Sequence, residues 1–303
     1  MSLAKIYREV DYFFLRMFLY ALFRPAGAYQ RMRTFARGKG IDEWRREKVE
    51  RNLEAVFGSR FDEKDRGALS GRFLEVLACD NIDCFIWFLH TWNHIRRDIE
   101  IQNKEVIEKI IEEKRGCVVL SAHFGGCFFI FEILRELRGR PQVLGRPVRY
   151  EYFKPDFIRW LYFRFRAWCL KGTVGEPIIY TEEKGTKDEI LRKLREGYQI
   201  FITFDVPPHF TKGPVGKVLL LNRLWNYPTG FLELISSIQA PIVPLFSYLT
   251  EQGKRVFTFF PEYQVSEGGA KEALQRCVSL FEDFVSKRPE QWFFWDDAQV
   301  FWS

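Results

Sequence analysis

The sequence predicts an α/β protein whose mostly parallel central sheet is flanked by helices and follows a helical N-terminal region. From about residue 103 onward, short apolar runs that suit buried strands alternate with stretches of helical periodicity. This alternation is typical of a parallel sheet covered on both faces. The first hundred residues contain only helical patterns. We therefore divide the chain into a helical region, 1–100, which is partly membrane-interfacial, and an α/β region, 101–303.

Composition and charge narrow the class of partner. The chain has 303 residues, 17% of them aromatic, and a formal net charge of +6. A mild positive charge with many aromatic side chains suits an anionic lipid surface. No long Lys/Arg run and no nucleic-acid-binding motif is present, so nucleic acid is not expected as a partner. Six cysteines without a Cys-x-x-Cys pair indicate buried free thiols and a reducing compartment.

The N-terminal region begins with a predicted helix over residues 5–24, which Pro25 ends. Its apolar stretch from Tyr12 to Phe23 is interrupted by Arg16 and is too short to span a bilayer. We predict that it lies in the membrane interface; the alternative is a helix packed on the protein's own core. No signal peptide is expected. A basic connector over 31–40 and helices over 42–57 and 62–79 follow.

The α/β region is predicted from the apolar runs and the helical periodicity. The strands are expected at 117–121, 142–146, 176–180, 198–204, 216–221, 242–249 and 255–260, and the helices at 103–114, 127–138, 155–170, 186–196, 230–238 and 270–287. The last two strands flank the turn-like segment Glu251–Lys254, which favours a hairpin.

His123 is the most informative of the four histidines. It follows the buried strand at 117–121 and precedes a predicted helix, and ligands of open α/β sheets bind at such strand ends. A neutral imidazole there could take the proton from a hydroxyl that attacks a thioester. Gly125 and Gly126 would allow close backbone approach and expose helix N–H groups that could stabilise an oxyanion. Spacing alone also permits a structural histidine near a turn.

Several blocks around His123 occur in a distinctive order. They are Ser121–Gly126 (SAHFGG), Gly145–Pro147 (GRP), Phe204–Asp205, Asn222–Gly230 (NRLWNYPTG), Ala240–Pro244 (APIVP) and Gln291–Trp295 (QWFFW). In this order they resemble the lipid A biosynthesis late acyltransferases, which include lauroyl and myristoyl acyltransferases and are related to phosphatidylinositol mannoside acyltransferases. The resemblance covers about residues 103–297.

The resemblance implies a glycerolipid acyltransferase-like fold and a membrane-associated O-acyltransferase with His123 as general base. A fatty acyl group would move from acyl carrier protein or acyl-CoA to a hydroxyl of a lipid or glycolipid. The protein would be peripheral, at the cytoplasmic face of the bacterial inner membrane. No metal or other cofactor would be needed, since the acyl donor is a co-substrate.

One position departs from the family's His-x4-Asp/Glu motif, because Phe128 stands where the acid is expected. A carboxylate there would orient the imidazole and stabilise the imidazolium. Asp205 ends another predicted strand and is our preferred replacement, and Glu132, one helical turn beyond 128, is the second choice. If neither serves His123, the chain would be a catalytically degenerate homologue that binds lipid.

Arg146 and Arg149 follow the strand predicted at 142–146. A guanidinium offers a planar fork that matches phosphate or carboxylate. Under the resemblance, the two would hold a sugar phosphate, a lipid phosphate or the phosphopantetheine arm of the donor. The alternative is a solvated or salt-bridged pair.

The remaining unusual residues carry weaker predictions. His90 and His94 share a helix face, but Thr91 stands where a zinc-protease helix would need Glu, so no metal site is expected. His209 is interpreted as a surface residue. The aromatic and arginine-rich segment Phe157–Leu170 suits a bilayer interface, although a core helix or a single-stranded nucleic-acid platform has similar residues. Nucleotide-binding and serine-hydrolase motifs are absent from the sequence.

Overall fold

The computed structural model describes residues 3–38, 43–211 and 213–302, and its N-terminal part is helical. The helices are α1 (Leu3–Val10), a π-helical turn (Asp11–Arg16), α2 (Met17–Ala21), α3 (Pro25–Gly38), α4 (Glu43–Phe57), α5 (Glu63–Leu89) and α6 (Trp92–Ile95). The prediction of a connector over 31–40 is wrong for residues 31–38, because α3 extends through them to Gly38. This helix begins at Pro25, whose fixed φ suits the first helical position. The rest of that connector and the predicted helix start at 42 lie outside the described residues. The helix predicted to end at 79 continues to Leu89.

The α/β region starts with a strand that the sequence patterns did not reveal. Its elements are β1 (Ile99–Gln102), α7 (Glu105–Glu112), β2 (Cys117–Ser121), α8 (Ile130–Glu136), β3 (Pro141–Gly145), α9 (Phe157–Val174), β4 (Ile179–Tyr180), α10 (Thr186–Arg195), β5 (Gln199–Thr203), β6 (Val215–Leu220), β7 (Arg223–Pro228), α11 (Gly230–Ser236), β8 (Ile242–Leu249), β9 (Arg255–Phe259) and α12 (Ala270–Lys287). The predicted α/β class with a helical N-terminal region is confirmed.

Seven strands form one sheet in the order β1-β9-β8-β2-β5-β3-β4. β2 pairs in parallel with β5 and β8, and β3 pairs in parallel with β5 and β4. β9 is antiparallel to β8, which confirms the predicted hairpin. The five strands β2, β3, β4, β5 and β8 therefore have their carboxyl ends at the same end of the sheet.

The strand predicted at 216–221 is real, but it does not join this sheet. β6 pairs with β7 in a separate two-stranded hairpin, with Leu220 opposite Arg223. Leu221 and Asn222 form the turn with φ values of 51° and 58°. Such left-handed turns match the twist of two paired strands, so the chain doubles back locally before it can cross to the sheet.

Two apolar layers cover the sheet because successive residues of a strand point to opposite faces. In β2, Val118 and Leu120 join the layer formed with α4, α10, α11 and α12. Cys117 and Val119 join the layer formed with α2, α3, α8 and α9. Helix α5 contributes to both layers, so the N-terminal helices complete the core around the sheet.

Candidate active site

Strands β2 and β5 bring His123 and Asp205 together. Ser121 lies opposite Thr203 in the parallel pairing, so the residues two positions further on become neighbours. His123 Nδ1 lies 2.8 Å from Asp205 Oδ1, and the backbone N–H of His123 donates to Asp205 Oδ2 over 2.8 Å. Asp205 is completely buried, whereas the His123 side chain is 38% exposed. The carboxylate therefore holds the imidazole from inside while part of the ring reaches solvent.

The Asp205 carboxylate decides which nitrogen of His123 carries the proton. An ionised carboxylate only accepts hydrogen bonds, so Nδ1 donates to Asp205 and the neutral ring keeps its lone pair on Nε2. Trp292 Nε1 donates to Asp205 Oδ2 over 2.8 Å and fixes the carboxylate in turn. Phe294 lies edge-on to the imidazole, with ring centroids 5.0 Å apart. Sequence reasoning did not identify Trp292 or Phe294, whose signal was the aromatic block Gln291–Trp295.

The charges around His123 favour its protonated form. Burial alone lowers the pKa of the imidazole, but the charge of Asp205 and its hydrogen bond outweigh that effect and raise the pKa above the ordinary value. Asp80 acts in the same direction and Arg166 in the opposite one. Because the ring is partly exposed, solvent screens each of these charges. The imidazolium that would form after proton abstraction is thus stabilised.

The turn after His123 requires glycine at two positions. Gly125 and Gly126 have φ values of +64° and +90°, in the left-handed region. A Cβ on Gly125 would collide with the backbone of Ser247 in β8, and a Cβ on Gly126 would lie 2.8 Å from Asp80 Oδ1. The close backbone approach expected from these glycines is therefore made to the protein's own β8 and α5.

The oxyanion role predicted for these glycines is not available to the backbone N–H of Gly125. The N–H of Gly125 donates to the carbonyl of Gln291 over 2.8 Å, so it has no hydrogen left for a substrate oxygen. Helix α8 begins at Ile130 and not at 127, so the glycines do not form its N-terminus. The prediction of helix N–H groups at 125 is wrong for this reason, and a substrate contact at Gly126 stays a prediction.

Position 128 belongs to the core. Phe128 is 3% exposed, and the guanidinium carbon of Arg166 lies 5.6 Å from its ring centroid. The second-choice replacement, Glu132, accepts a hydrogen bond from Trp87 Nε1 over 2.8 Å. The carboxylate in contact with His123 is that of Asp205.

Arg146 and Arg149 share one carboxylate, that of Glu182 after β4. Arg149 Nη2 lies 2.9 Å from Glu182 Oε2, and Arg146 Nη2 lies 3.4 Å from Oε1. The guanidinium of Arg146 lies over the rings of Tyr152 and Phe210 at 4.6 and 4.4 Å. The hydroxyl of Tyr152 and the two arginines lower the pKa of the Glu182 carboxyl. Both arginines follow β3 and lie at the same end of the sheet as His123, but they are salt-bridged, and their binding of an anion stays a prediction.

The other histidines have local contacts. His90 Nε2 lies 2.7 Å from the carbonyl of Ala21, and the rings of His90 and His94 are 4.8 Å apart. His209 is exposed, as predicted, in a short 3-10 turn. Among residues 3–38, 43–211 and 213–302, no group of three or more His, Cys, Asp or Glu side chains could hold a metal ion.

The first helices have two different apolar faces. Met17 and Ala21 are completely buried in the core. The side chains that we call the exposed stripe follow the helical spacing i, i+3, i+4, i+7 and are 42–55% exposed: Leu15, Phe18, Leu19 and Leu22. One face of this segment therefore packs on the protein's own core, and the other exposes apolar side chains as an interfacial helix would. Contact with a membrane stays a prediction. None of the described helices is long and apolar enough to cross a membrane.

Helix α9 also has one side packed in the core and one side exposed to solvent. Trp168 is 58% exposed and contacts Phe88 of α5 edge-on at 5.9 Å. Arg166, which the sequence suggested as an interfacial residue, instead forms an ion pair with Asp80 at 2.8 Å. The core interpretation therefore holds for one side of this helix.

The chain matches a known protein family over most of its length. The family model described as bacterial lipid A biosynthesis acyltransferase matches residues 10–296. This span contains the helices α2–α12, the strands β1–β9 and every residue placed around His123. No curated protein matches the chain.

Proposed function

Because the chain belongs to the bacterial lipid A biosynthesis acyltransferase family, we propose that it transfers a fatty acyl group from a thioester donor to a lipid hydroxyl with His123 as general base. The donor is acyl carrier protein or acyl-CoA, and the acceptor is a lipid or glycolipid. The observation that carries the proposal is the 2.8 Å contact between His123 Nδ1 and Asp205 Oδ1. It gives His123 the orienting carboxylate that a general base of this kind needs.

In the proposed reaction, His123 Nε2 takes the proton of the acceptor hydroxyl while the hydroxyl oxygen attacks the thioester carbonyl. The C–O bond forms, the tetrahedral intermediate collapses and the C–S bond breaks. The imidazolium then returns its proton to the leaving thiolate. Asp205 stabilises the imidazolium and holds its tautomer, as the carboxylate of a Ser-His-Asp triad does.

Arg146 and Arg149 are proposed to bind a phosphate of the acceptor or the donor. Both contact Glu182 at the exposed end of the sheet, where a phosphate could replace the carboxylate. Arg146 Nη2 lies 3.4 Å from Glu182 Oε1, a long contact that leaves this nitrogen able to bind a phosphate oxygen. Arginine forks match phosphate oxygens better than a point charge would.

The proposed site of membrane contact is the exposed stripe, which runs from the π-helical turn along α2 to its C-cap residue Leu22. Leu15, Phe18, Leu19 and Leu22 present apolar area on the side opposite the core, as an interfacial helix does. With a net charge of +6, the protein would favour the anionic surface of the bacterial inner membrane at its cytoplasmic face.

The base is tested with purified protein, an acyl donor and a lipid acceptor, by measuring release of the free thiol. We expect His123→Ala to reduce transfer about 100- to 10,000-fold. The matched control is His94→Ala, which removes a histidine on α6. Equal rates for wild-type protein and His123→Ala would contradict the proposed base. Wild-type protein that binds acyl chains but releases no thiol with any acceptor would instead support a lipid-binding homologue.

Membrane contact is tested by flotation with vesicles that contain phosphatidylglycerol. The double change Phe18→Ser and Leu19→Ser should reduce the bound fraction, since it removes apolar area from the exposed stripe. The control is Leu219→Ser with Leu224→Ser, which removes two side chains of 50% and 49% exposure from the separate β6–β7 hairpin. An equal loss in both variants would argue against this surface.

A further inference from the structure

Helix α5 places a second buried carboxylate beside the turn that follows His123. Asp80 is 6% exposed, and its Oδ2 lies 2.8 Å from Arg166 Nη2. Arg166 Nη1 also donates to the backbone carbonyl of Asp80 over 2.7 Å. The guanidinium therefore holds both the side chain and the main chain of Asp80.

The same carboxylate lies against the glycine turn. A Cβ built on Gly126 would be only 2.8 Å from Asp80 Oδ1. On the other side of the ion pair, the guanidinium of Arg166 lies over the ring of Phe128, 5.6 Å from its centroid. Asp80 and position 128 thus both adjoin Arg166, one from α5 and the other from the turn.

We propose that Asp80 is the positioning residue that replaces the acid missing at position 128, and that with Arg166 it fixes the turn that carries His123. This inference rests on the proposed function of His123 as a base. A carboxylate at 128 would come from the turn and reach the neighbouring guanidinium. In this chain the carboxylate comes from the N-terminal helices, and Phe128 fills the space next to it.

A buried carboxylate in this place has two physical consequences. Its ion pair with Arg166 restrains α5, α9 and the turn relative to one another, because breaking a buried pair leaves an uncompensated charge. Its negative charge also favours the imidazolium of His123 and adds to the larger effect of Asp205, against that of Arg166. Among the described residues, Asp205, Asp80 and Arg166 are the charged groups with the largest effects on His123.

The test measures the pKa of His123 by NMR titration of its ring, together with kcat and KM. For Asp80→Asn we expect a lower pKa of His123, a pH–rate midpoint moved in the same direction, and a kcat reduced about 10- to 100-fold with KM unchanged. Adding Phe128→Asp to Asp80→Asn should restore the pKa and most of kcat, since the new carboxylate would adjoin Arg166.

The matched control is Glu75→Gln. Glu75 is another buried carboxylate of α5, 6% exposed, and it pairs with Arg37 of α3 at 2.5 Å. A merely structural role for Asp80 would lower the melting temperature in both variants without moving the titration of His123.

Two results would overturn the inference and leave the general base intact. One is an Asp80→Asn variant that folds and keeps the wild-type titration of His123 and the wild-type kcat. The other concerns Asp80→Glu, which serves if Asp80→Asn does not fold, because it keeps the charge but displaces it by one methylene. We expect its kcat to fall with KM unchanged, and a wild-type kcat would refute the positioning role. Loss of the proposed function itself would appear separately, as full activity in His123→Ala.

Discussion

Two sets of charged side chains lie at the end of the sheet where the parallel strands terminate, and they differ in burial. The buried set contains Asp205 and the ion pairs Asp80–Arg166 and Asp83–Arg255. The exposed set contains Arg146 and Arg149 around the carboxylate of Glu182. The pairing chemistry of arginine with a carboxylate is the same in both sets.

Burial decides whether the charged side chains of each set can exchange their partners. Arg255 is 1% exposed, pairs with Asp83 at 2.7 Å and also donates to the carbonyl of Gly125, so a substrate could not displace its partner without unfolding the region. The Arg149 side chain is 54% exposed, and within the described part of the chain its ion-pair partner is Glu182, so water or an anion can compete for it. Buried pairs therefore fix the geometry around His123, and exposed pairs can exchange partners.

The largest expected effect comes from the buried carboxylate that touches the base. Asp205→Asn should lower kcat about 100- to 10,000-fold, because the amide cannot stabilise the imidazolium and can select the wrong tautomer. KM should change little, since Asp205 has no surface for substrate. The measurement is steady-state transfer at saturating acceptor. A kcat within twofold of wild type would show that His123 does not depend on this carboxylate.

The second effect concerns stability in the buried set. Asp83→Asn should lower the free energy of unfolding by about 3–5 kcal/mol, because Arg255 stays charged and loses its partner. Arg255→Met should cost less, since burial already raises the pKa of the Asp83 carboxyl and the group can take up a proton. Urea denaturation of both variants checks this order. The opposite order would mean that the contact of Arg255 with Gly125, and not the ion pair, dominates.

The third effect is a pH dependence with a defined sign. The base must be neutral to accept a proton, so kcat/KM should rise with pH as His123 deprotonates, with a midpoint above about 6.5 because Asp205 raises the pKa. One pH unit below the midpoint, kcat/KM should be about tenfold lower than at the high-pH plateau. In Asp205→Asn the residual activity should have its midpoint at lower pH. A pH–rate profile that falls through this range would contradict a neutral imidazole as base.

Local patterns were sufficient for the fold class and for the first contact of the site. The run at 117–121 is apolar throughout because β2 is buried on both faces, and His123 and Asp205 could be paired because each follows such a strand. The short strand β1 was missed, since four residues with two partly exposed side chains give no clear run.

The residues behind the site could not be predicted from spacing. Asp80 meets Arg166 across 86 positions of the chain, and Trp292 meets Asp205 across 87. These contacts depend on how α5 and the C-terminal segment pack against the sheet, which no local periodicity encodes. For the same reason, the sequence identified a missing acid at Phe128 and indicated Asp205 as a partner of His123, but it did not indicate that Asp80 lies beside Arg166.

The smallest effect should appear in the exposed set, and it has opposite signs in two variants. Arg149→Ala should raise the KM for a phosphate-bearing substrate about tenfold, the loss of one charge-assisted contact, with kcat unchanged. Glu182→Gln should lower that KM, because the carboxylate that competes with phosphate for Arg146 and Arg149 becomes neutral. Neither variant should change the urea midpoint appreciably, unlike Asp83→Asn. If Glu182→Gln raised KM as Arg149→Ala does, the carboxylate would be orienting the arginines and not competing with phosphate, and the exposed set would then resemble the buried one.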